Sequence, residues 1–352
     1  MGVLVIGGGL SGLAVADALH RAGRPFMLVE ARQRLGGRIA SVSVDGATFD
    51  TGPAWFWDGQ PRIAALINRF GLHRFQQHAA GLTVLEDASG QVQHLSGMSP
   101  MQGSWRMEGG LTTLTQALAQ GLPAETIRID ARVTALCQTD NGISATLADG
   151  TNLSAQKVVL CLPPRIAAHL HFTPALPAAA VQALQGIPTW MAGQAKVVAV
   201  YERPFWRKAG LSGTAMSRHG PMVEMHDASP ADGGPYAIFG FVGVPPEHRR
   251  DRAALQRQVI AQLGRIFGPD ALSPLDVTIM DWATEPCTAT PSDHRPLAAH
   301  PSYGMPPELR DLWDGRLVLA GTEVATGFGG FIEGALEAAE DAVWRMNISH
   351  QT

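Results

Sequence analysis

The chain carries its first clear motif in residues 3–12, which read VLVIGGGLSG. The VLVI run is wholly apolar, as expected for a parallel strand that is buried on both faces. The glycines after it fit the pattern G-x-G-x-x-G at Gly7, Gly9 and Gly12, with Ser11 inside the pattern. In such a turn the first glycine permits the tight bend, the second lets a pyrophosphate approach the backbone, and the third lets a helix pack closely on its strand. The motif therefore predicts a dinucleotide-binding turn, with these four residues as cofactor contacts.

The residues that follow complete a strand-helix-strand unit. A helix is predicted over 11–22, Gly23 ends it, and 25–29 reads as a second strand. Glu30 closes that strand, where a carboxylate can hold the hydroxyls of a ribose. A glycine pattern alone is weak support, but the full series in register favours a dinucleotide site. The series does not tell which dinucleotide binds.

The composition indicates a globular chain with small-molecule partners. Its 352 residues suggest about two domains, and a hydrophobic fraction of 45% can form large cores. The formal net charge of -4 gives no sign of a basic surface for nucleic acid or for an anionic membrane. No apolar run approaches the roughly 18 residues that span a bilayer, and the first residues lack the basic segment of a signal peptide. We therefore expect a cytoplasmic protein, and the oligomeric state is left open.

The three cysteines are Cys137, Cys161 and Cys287. They are widely spaced, and no pair has the C-x-x-C spacing of a metal or redox motif. We expect neither a disulfide framework nor a metal site, and interpret all three as small core residues.

Residues 30–38 continue the first motif and read EARQRLGGR. The turn at Gly36 and Gly37, followed by Arg38, offers an open backbone and a fixed guanidinium that suit a pyrophosphate; the alternative is a solvated basic loop. Together with FDTGP at 49–53, these residues resemble the amino-terminal FAD signature of the flavin-dependent amine oxidase family. The best-known members of that family are the monoamine oxidases.

The resemblance gives roles to individual residues at this end of the chain. It implies that Glu30 holds the adenosine ribose and that Arg32 and Arg38 lie along the FAD phosphates. It also places three residues beside the isoalloxazine ring: Gly52, Pro53 and Trp55. Trp55 is then a wall of the substrate site, unless residues 55–57 simply form a buried aromatic cluster.

The interval after this signature shows helical periodicity within 61–76, with the helix predicted to end at Gly71, and two short strands are predicted at 82–85 and 92–95. It is much shorter than the lobe that the resembling amine oxidases insert here. The shape of the substrate entrance and the size of the substrate therefore stay open.

A second nucleotide-domain segment is predicted from residue 108. Its helix is followed by strands at 126–129, 133–138 and 143–147, a β-meander that is common in flavoproteins with two dinucleotide folds. Val133 resembles the family position whose backbone meets the adenine. Residues 157–162 resemble the strand that returns the family's chain to its FAD sheet, although any parallel core strand has this appearance.

Lys196 is the residue that we predict to take part in the chemistry. It stands at the start of a strand predicted over 197–201, in an apolar neighbourhood. Residues 196–208 resemble the monoamine oxidase segment in which a lysine, eight residues before a proline, holds a water against flavin N5. A fixed cation or its bound water stabilises the negative charge that develops when reduced flavin passes electrons to oxygen. The alternative is an exposed lysine at the end of a strand.

Residues 222–227 are predicted to alternate along a strand, with Met222, Glu224 and His226 on one face. This face could line an amine pocket, where Glu224 could attract an ammonium group. A solvated strand face explains the same residues. Neither Glu224 nor His226 is therefore included in the predicted site.

Trp282 resembles the tryptophan that packs beneath the flavin in this family. In monoamine oxidases a cysteine several residues further on bonds covalently to the flavin, and that register falls near residues 291–292 here. Cys287 lies too early for it. We therefore expect a non-covalent flavin, with a bond to Cys287 as the less favoured alternative.

The carboxy-terminal motif follows a buried strand at 316–320 and begins with GTE at 321–323. A glycine-rich loop comes next, and FIEGAL at 331–336 opens a helix with an apolar stripe at 3.6-residue spacing. Free N–H groups and the dipole at its start would stabilise negative charge at flavin N1 and O2 when the ring accepts a hydride. The resemblance implies that this unit cradles the ribityl chain and the isoalloxazine ring through five residues: Gly321, Glu323, Gly330, Phe331 and Ile332.

Phe331 departs from the pattern of the family. In monoamine oxidases the corresponding residue is one of two tyrosines that form an aromatic cage around the amine nitrogen. The second cage position falls near residues 292–294, which are not aromatic. Phe331 keeps a π-face without a hydroxyl, so half of the cage is retained at best.

Together these observations predict an α/β fold, with an FAD-binding, Rossmann-like domain of the two-dinucleotide-binding type and an interleaved α+β substrate domain. The FAD-binding domain is expected at 1–72, 106–166 and 283–352. The substrate domain is expected at 73–105 and 167–282.

The resemblance implies that hydride passes from the α-carbon of a small primary or secondary amine to flavin N5. The imine then hydrolyses to an aldehyde, and oxygen reoxidises the flavin and yields hydrogen peroxide. Lys196 would hold the water at N5, Trp55 and Phe331 would shape the pocket, and Trp282 would support the ring. Two alternatives stay open: a desaturase or nicotinamide-oxidising enzyme of the same fold, and a non-catalytic flavin-binding protein.

Overall fold

The computed structural model describes residues 1–97, 99–295, 297 and 299–346. Its strands are β1 Val3–Ile6, β2 Phe26–Val29, β3 Ser41–Val44, β4 Ala47–Asp50, β5 Arg74–Gln76, β6 Leu82–Glu86, β7 Val92–Leu95, β8 Trp105–Met107, β9 Ile127–Arg128, β10 Val133–Thr139, β11 Gly142–Leu147, β12 Asn152–Ala155, β13 Lys157–Leu160, β14 His171–Thr173, β15 Ala195–Tyr201, β16 Leu211–Ser217, β17 Met222–Asp227, β18 Tyr236–Val242, β19 Asp276–Asp281 and β20 Leu317–Leu319. Its α-helices are α1 Leu10–Arg21, α2 Pro61–Phe70, α3 Thr112–Gln120, α4 Pro164–Ala167, α5 Ala178–Gly186, α6 Phe205–Lys208, α7 Arg252–Phe267 and α8 Ile332–Arg345.

A parallel sheet with the strand order β20-β13-β1-β2-β9 forms the centre of the nucleotide-binding lobe. Val3 and Val5 of β1 pack in one core cluster with α1 and α8, whereas Leu4 and Ile6 pack in a second cluster on the other face. This two-sided burial explains the unbroken apolar run of the sequence, since each such side chain contributes roughly 1.5–3 kcal/mol when it leaves water. The predicted strand-helix-strand start and the α/β class are confirmed.

A second sheet with the order β12-β11-β10-β14 covers this lobe. β10, β11 and β12 form the predicted antiparallel meander. The strand predicted at 126–129 is not part of it, because β9 pairs with β2 in the parallel sheet instead.

The segment that contains β14 and α5 lies with the nucleotide-binding lobe. β14 pairs with β10, and Ala180 and Leu184 of α5 belong to the same core cluster as Leu4. The predicted domain bounds include this segment in the substrate domain. The difference arises because short polar strands and an alanine-rich helix carry no sequence signal for the surface on which they pack.

A seven-stranded mixed sheet with the order β19-β15-β18-β17-β16-β6-β7 forms the second lobe. α7 packs on one face of it through Leu255, Val259 and Leu263. β6 and β7, which come from the short early interval, extend this sheet because β6 pairs in parallel with β16. The two separate stretches assigned to the substrate domain therefore share one sheet.

The predicted end of a helix at Gly71 is confirmed, because α2 ends at Phe70, Gly71 takes a left-handed conformation and β5 follows. Two other predicted elements differ from the structure near the site. β15 starts at Ala195, so Lys196 lies within the strand. A β-bulge in β17 sits between Met222 and Glu224 and breaks the simple alternation of faces.

Among the described helices, none is both long enough and apolar enough to cross a bilayer.

Candidate active site

The glycine turn after β1 has almost no room for side chains. Gly7 has a φ of 108°, and a Cβ added to Gly12 would collide with the carbonyl oxygen of Gly7. A Cβ on Gly8 would lie 2.6 Å from Leu35 Cδ2. The first turn of α1 contains no acidic residue, so its positive end is available to an anion. The geometry therefore fits a phosphate that lies directly against the backbone.

Two predicted cofactor residues of the turn region also make contacts within the protein. The buried hydroxyl of Ser11 donates to the carbonyl of Ala320 and so ties α1 to the end of β20. Gly36 N–H donates to the carbonyl of Gly8 at 2.8 Å, and a Cβ on Gly37 would lie 3.0 Å from the Cα of Gly9. The two glycine-rich loops thus form one continuous backbone cradle.

Glu30 is buried and held by backbone donors. Its carboxylate accepts Gly8 N–H at 2.7 Å and Arg32 N–H at 2.8 Å. Ala131 N–H donates to the backbone carbonyl of Glu30 at 2.8 Å, which brings the segment before β10 and the buried Val133 close to the end of β2. The carboxylate is therefore fixed at the end of β2, as a ribose contact requires.

The guanidinium of Arg32, which the resemblance places along the FAD phosphates, binds other residues of the protein. It donates to Glu285 at 3.1 Å and to Thr288 Oγ1 at 2.9 Å, on a segment more than 250 residues away. Cys287 lies between these two partners as a half-buried free thiol. The residues that flank Cys287 in the sequence therefore contact Arg32.

Arg38 and Glu323 connect the first and last motifs. Arg38 Nη1 lies 2.6 Å from Glu323 Oε1, and the Glu323 side chain is fully buried. The other carboxylate oxygen, Glu323 Oε2, has no hydrogen-bond partner. A buried acceptor without a donor is costly, so this oxygen fits a site that a ligand hydroxyl completes.

The start of α8 is also open to a ligand. Phe331 is its N-cap residue and supplies no side-chain cap, so the first N–H groups are free. The hydroxyl of Thr322 donates to the carbonyl of Phe331 at 2.7 Å, and Gly330 has a φ of 81°. The carboxy-terminal loop therefore holds the amino terminus of α8, whose first residue is Ile332, in a fixed position.

Lys196 is buried, so the alternative of an exposed strand-end lysine is wrong. Its Nζ donates to the carbonyl of Gly52 and lies 4.8 Å from the ring centre of Phe239, 5.1 Å from that of Phe241 and 5.7 Å from that of Trp55. Burial lowers the pKa of Lys196 to about 8, and the negative charge of Asp50 opposes this shift. The Lys196 side chain is thus a cation that loses its charge as the pH rises through about 8.

Residues 51–57 run through the middle of the site. Trp282 Nε1 donates to the carbonyl of Thr51 at 3.1 Å, next to the carbonyl that holds Lys196. Trp55 is half-buried, Pro53 is half-buried and Trp57 is exposed, so the stretch is not a buried aromatic cluster. The segment brings Lys196, Gly52, Trp55 and Trp282 together.

Asp50 and Arg106 form a buried charged layer near Lys196. Burial raises the pKa of Asp50 to about 6, although the charge of Arg106 and a 2.9 Å hydrogen bond from Leu111 N–H favour the carboxylate. Arg106 donates to the carbonyls of Ala228 and Ser229 at 2.8 and 2.6 Å. Sequence reasoning missed both residues, since only the fold brings them near Lys196.

Glu224 and His226 were left outside the predicted site, yet they share a sheet face with Lys196. Lys196 pairs with Phe241 on β18, and Phe241 pairs with Glu224 on β17. In the next row Phe239 pairs with His226, whose ring contacts Trp55 at 5.3 Å. The alternation of residues along β17 indicated that Glu224 and His226 share a face. The sequence pattern does not show how β17 and β15 are aligned on β18, and this alignment brings the face next to Lys196.

Phe331 has an aromatic partner that the sequence analysis did not predict. His300 stacks on it with ring centres 4.8 Å apart and an interplanar angle of 12°, and Trp57 meets it edge-on at 6.5 Å. The expected second position, near residues 292–294, instead contains Asp293, which is bound to Arg165 at 2.6 Å. The aromatic partner of Phe331 is therefore His300, which lies after the expected position at 292–294 in the sequence.

The described residues contain no cluster of three or more His, Cys, Asp or Glu side chains that could hold a metal ion.

Comparison with known proteins places this geometry in a family. The model of the family "Flavin containing amine oxidoreductase" matches residues 10–92 and 78–347. A probable flavin-containing monoamine oxidase A of Dictyostelium discoideum is 23% identical over 449 aligned positions, which cover 96% of this chain and 95% of that protein. A putrescine oxidase of Kocuria rosea is 24% identical over 403 positions, which cover 81% of this chain and 83% of that protein. The alignment of 449 positions exceeds the 352 residues of this chain, so the Dictyostelium protein has segments without a counterpart here.

Solved structures show the same fold. A wild-type putrescine oxidase with putrescine bound aligns with a TM-score of 0.82 at 20% identity, covering 98% of this chain and 99% of that chain. The resemblance inferred from the motifs at both ends is confirmed, and with it the FAD-binding, Rossmann-like character of the fold. The chain belongs to the family of flavin containing amine oxidoreductases.

Proposed function

We propose that this flavin amine oxidoreductase is an oxidase that converts a small primary or secondary amine to an imine, which water hydrolyses to an aldehyde. The observation that carries the proposal is the buried Lys196, which is held by the carbonyl of Gly52 among the rings of Trp55, Phe239 and Phe241. Relatives named for the oxidation of putrescine and of monoamines support a small amine as substrate.

The residues present fit a non-covalent FAD. The glycine cradle and Glu30 suit the pyrophosphate and the adenosine ribose, with Val133 nearby, and Glu323 Oε2 is a buried acceptor that a ribityl hydroxyl can satisfy. Glu285 and Thr288, which flank Cys287 in the sequence, bind Arg32 next to the loop that holds Glu30, which supports a flavin without a covalent bond to Cys287. We propose that Arg32, with its guanidinium turned to Glu285, acts mainly through its backbone N–H on Glu30.

The chemistry that FAD supplies is acceptance of a hydride from the α-carbon of the amine, followed by return of the two electrons to oxygen as hydrogen peroxide. The free N–H groups at the start of α8 would stabilise negative charge on the cofactor. The aromatic rings around Lys196 would exclude bulk water, and its Nζ would hold a water for the oxygen step. No side chain is required as a base, provided that the amine binds in its neutral form.

We further propose that the site lies between two lobes. One consists of 1–72, 106–166 and 283–352, extended by residues 167–187. The other consists of 73–105 and the remainder up to residue 282. Residues 51–57 connect the cofactor side, at Thr51 and Trp282, with the Lys196 face of the large sheet.

The test is the visible spectrum of the purified protein without oxygen, recorded before and after primary and secondary amines are added. We expect the bands of oxidised flavin to bleach with at least one amine and to return, with formation of peroxide, when oxygen is admitted. Acid precipitation should release the yellow cofactor into solution as FAD. A yellow protein that no amine bleaches would favour a desaturase-like or non-catalytic protein, and a protein that cannot take up FAD would refute the proposal.

A further inference from the structure

Gln77 is a buried residue that directly follows β5, and its amide contacts the indole of Trp55. Trp55 Nε1 donates to Gln77 Oε1 at 2.8 Å. Gln77 Nε2 donates to the backbone carbonyl of Asp227 at 2.7 Å and to that of His78 at 3.1 Å. An indole N–H can only donate and a carbonyl can only accept, so these partners allow a single orientation of the amide.

The supports of the Gln77 amide are themselves fixed. The backbone N–H of Gln77 donates to the carbonyl of Ser104 at 3.0 Å and so continues the pairing of β5 with β8. Asp227 ends β17 in the large sheet, and its buried carboxylate accepts two hydrogen bonds from Arg207 at 2.7 and 2.9 Å. Gln77 therefore presents its Oε1 to the indole from a rigid frame.

The orientation of the Trp55 ring depends on this hydrogen bond. Among the residues that the structure describes, Gln77 is the one acceptor of the indole N–H. The ring meets Phe239 at 4.9 Å in a tilted contact and His226 at 5.3 Å edge-on, and Lys196 Nζ lies 5.7 Å from its centre. Ring contacts of this kind tolerate a range of angles, whereas a hydrogen bond to a fixed amide selects one direction. Gln77 therefore determines which edge of the indole turns toward the lysine.

We propose that Gln77 is a positioning residue that fixes Trp55 as a rigid wall and thereby limits the width of the amine pocket. A rigid wall holds a narrow amine in one position and excludes wider groups. Gln77 is buried, so it acts through the indole and not by touching the amine. The inference rests on the proposed function, because it assumes that the amine binds against Trp55.

The test replaces Gln77 with Met, a side chain of similar length without an amide, in the FAD-loaded enzyme. Two primary amines of different width, n-butylamine and benzylamine, are compared through kcat/KM. The ratio of kcat/KM for n-butylamine to that for benzylamine should fall about 5- to 10-fold in Gln77→Met, because one hydrogen bond no longer holds the ring against the wider amine. The rate of reoxidation by oxygen should stay unchanged, since the carbonyl of Gly52 holds Lys196.

A double-mutant cycle with Trp55→Phe separates positioning from a purely structural role. Phe keeps an aromatic ring but has no N–H, so adding Gln77→Met to Trp55→Phe should leave the ratio of kcat/KM values as it is in Trp55→Phe alone. The unfolding temperature should fall with Gln77→Met in both backgrounds, because the carbonyl of Asp227 loses its donor either way.

A spectroscopic measurement follows the indole without any substrate. In protein with isotope-labelled tryptophan, the N–H signal of Trp55 is assigned by its loss in Trp55→Phe. Gln77→Met should shift this signal and speed its exchange with solvent, because the N–H no longer has its acceptor.

Gln76→Met is the matched control. Gln76 is the exposed last residue of β5 and loses the same amide. Its ratio of kcat/KM values and its Trp55 signal should equal those of the wild type. If Gln77→Met does not retain flavin, Gln77→Asn, which keeps an amide but is one methylene shorter, provides the same comparison. If the wild type oxidises other amines instead of this pair, the narrowest and the widest of those are compared.

The possible failures are distinct. A flavin-loaded Gln77 variant that keeps the wild-type ratio, or one that changes the ratio equally with and without the indole N–H, would overturn the positioning role and leave amine oxidation standing. Failure of every amine to reduce the flavin of the wild type would refute the proposed function and this inference together.

Discussion

The cradle formed by the glycine-rich loops and the sheet face around Lys196 are built from different parts of the chain. In the cradle, backbone atoms of glycine-rich loops form the surface, and a Cβ added at Gly8 or Gly12 would collide with Leu35 or with the carbonyl of Gly7. On the Lys196 face, side chains from β15, β17 and β18 form the surface, and their positions follow from strand register. In the cradle, a side chain added at a tightly packed glycine should abolish binding, whereas on the Lys196 face a substitution should change a single property. The following variants test that difference, beginning with the largest effect.

Gly12→Ala should abolish the folded, FAD-loaded protein. The added Cβ collides with the carbonyl oxygen of Gly7, and relieving this clash separates α1 from β1 at a cost of about 3 kcal/mol or more. Gly186→Ala is the control, because a Cβ there meets nothing within 4 Å. Flavin content and thermal unfolding of both variants give the comparison. A Gly12→Ala protein that binds FAD like the wild type would show that the cradle is not closed by backbone contacts.

Lys196→Met should slow reoxidation by oxygen about 10- to 100-fold, since the fixed cation or its water is lost from a buried site. Reduction by the amine under anaerobic conditions should change much less. Rapid mixing measures the two half-reactions separately. Lys208→Met, which removes an exposed lysine at the end of α6, serves as the control. An equal loss in both half-reactions would assign Lys196 to substrate binding or to folding instead.

Glu323→Gln should weaken FAD binding about tenfold. The variant removes the charge that pairs with Arg38 at 2.6 Å and gives up the unpartnered acceptor Oε2. Fluorescence titration of the apoprotein with FAD measures the affinity, with the exposed Glu308→Gln as the control. Unchanged affinity in Glu323→Gln would mean that the buried oxygen faces no part of the cofactor.

Asp50→Asn should produce the smallest change, a shift in pH dependence. Lys196 loses its charge as the pH rises through about 8, so the rate of reoxidation should fall across that range in the wild type. The charge of Asp50 opposes the lowering of the Lys196 pKa by burial, so its removal should move this falling limb toward lower pH. The pH profile of the reoxidation rate measures the shift. If the pH range of this fall in rate stays the same or moves to higher pH, the charge of Asp50 does not raise the pKa of Lys196.

The backbone geometry of the cradle could be predicted from the sequence because its requirements are local. Gly7, Gly12 and Glu30 lie within one strand-helix-strand unit, where spacing alone sets their relative positions. The guanidinium of Arg32 was not predictable in this way, since Glu285 and Thr288 meet it across more than 250 residues.

The substrate side was less predictable for a similar reason. The bulge in β17 and the pairing of Phe241 with both Lys196 and Glu224 depend on tertiary structure that no local pattern encodes. His300 reaches Phe331 from a loop without regular structure. Its place in the sequence gave no indication of the stacking.

A crystal structure of the FAD-loaded protein tests most directly whether the two regions meet at the flavin. We expect the isoalloxazine ring between residues 51–55 and the start of α8, with Lys196 Nζ one water molecule away from N5. The adenosine ribose should lie on Glu30. A ring bound away from Lys196, or a cofactor whose ribityl hydroxyls leave Glu323 Oε2 without a partner, would contradict the proposed site.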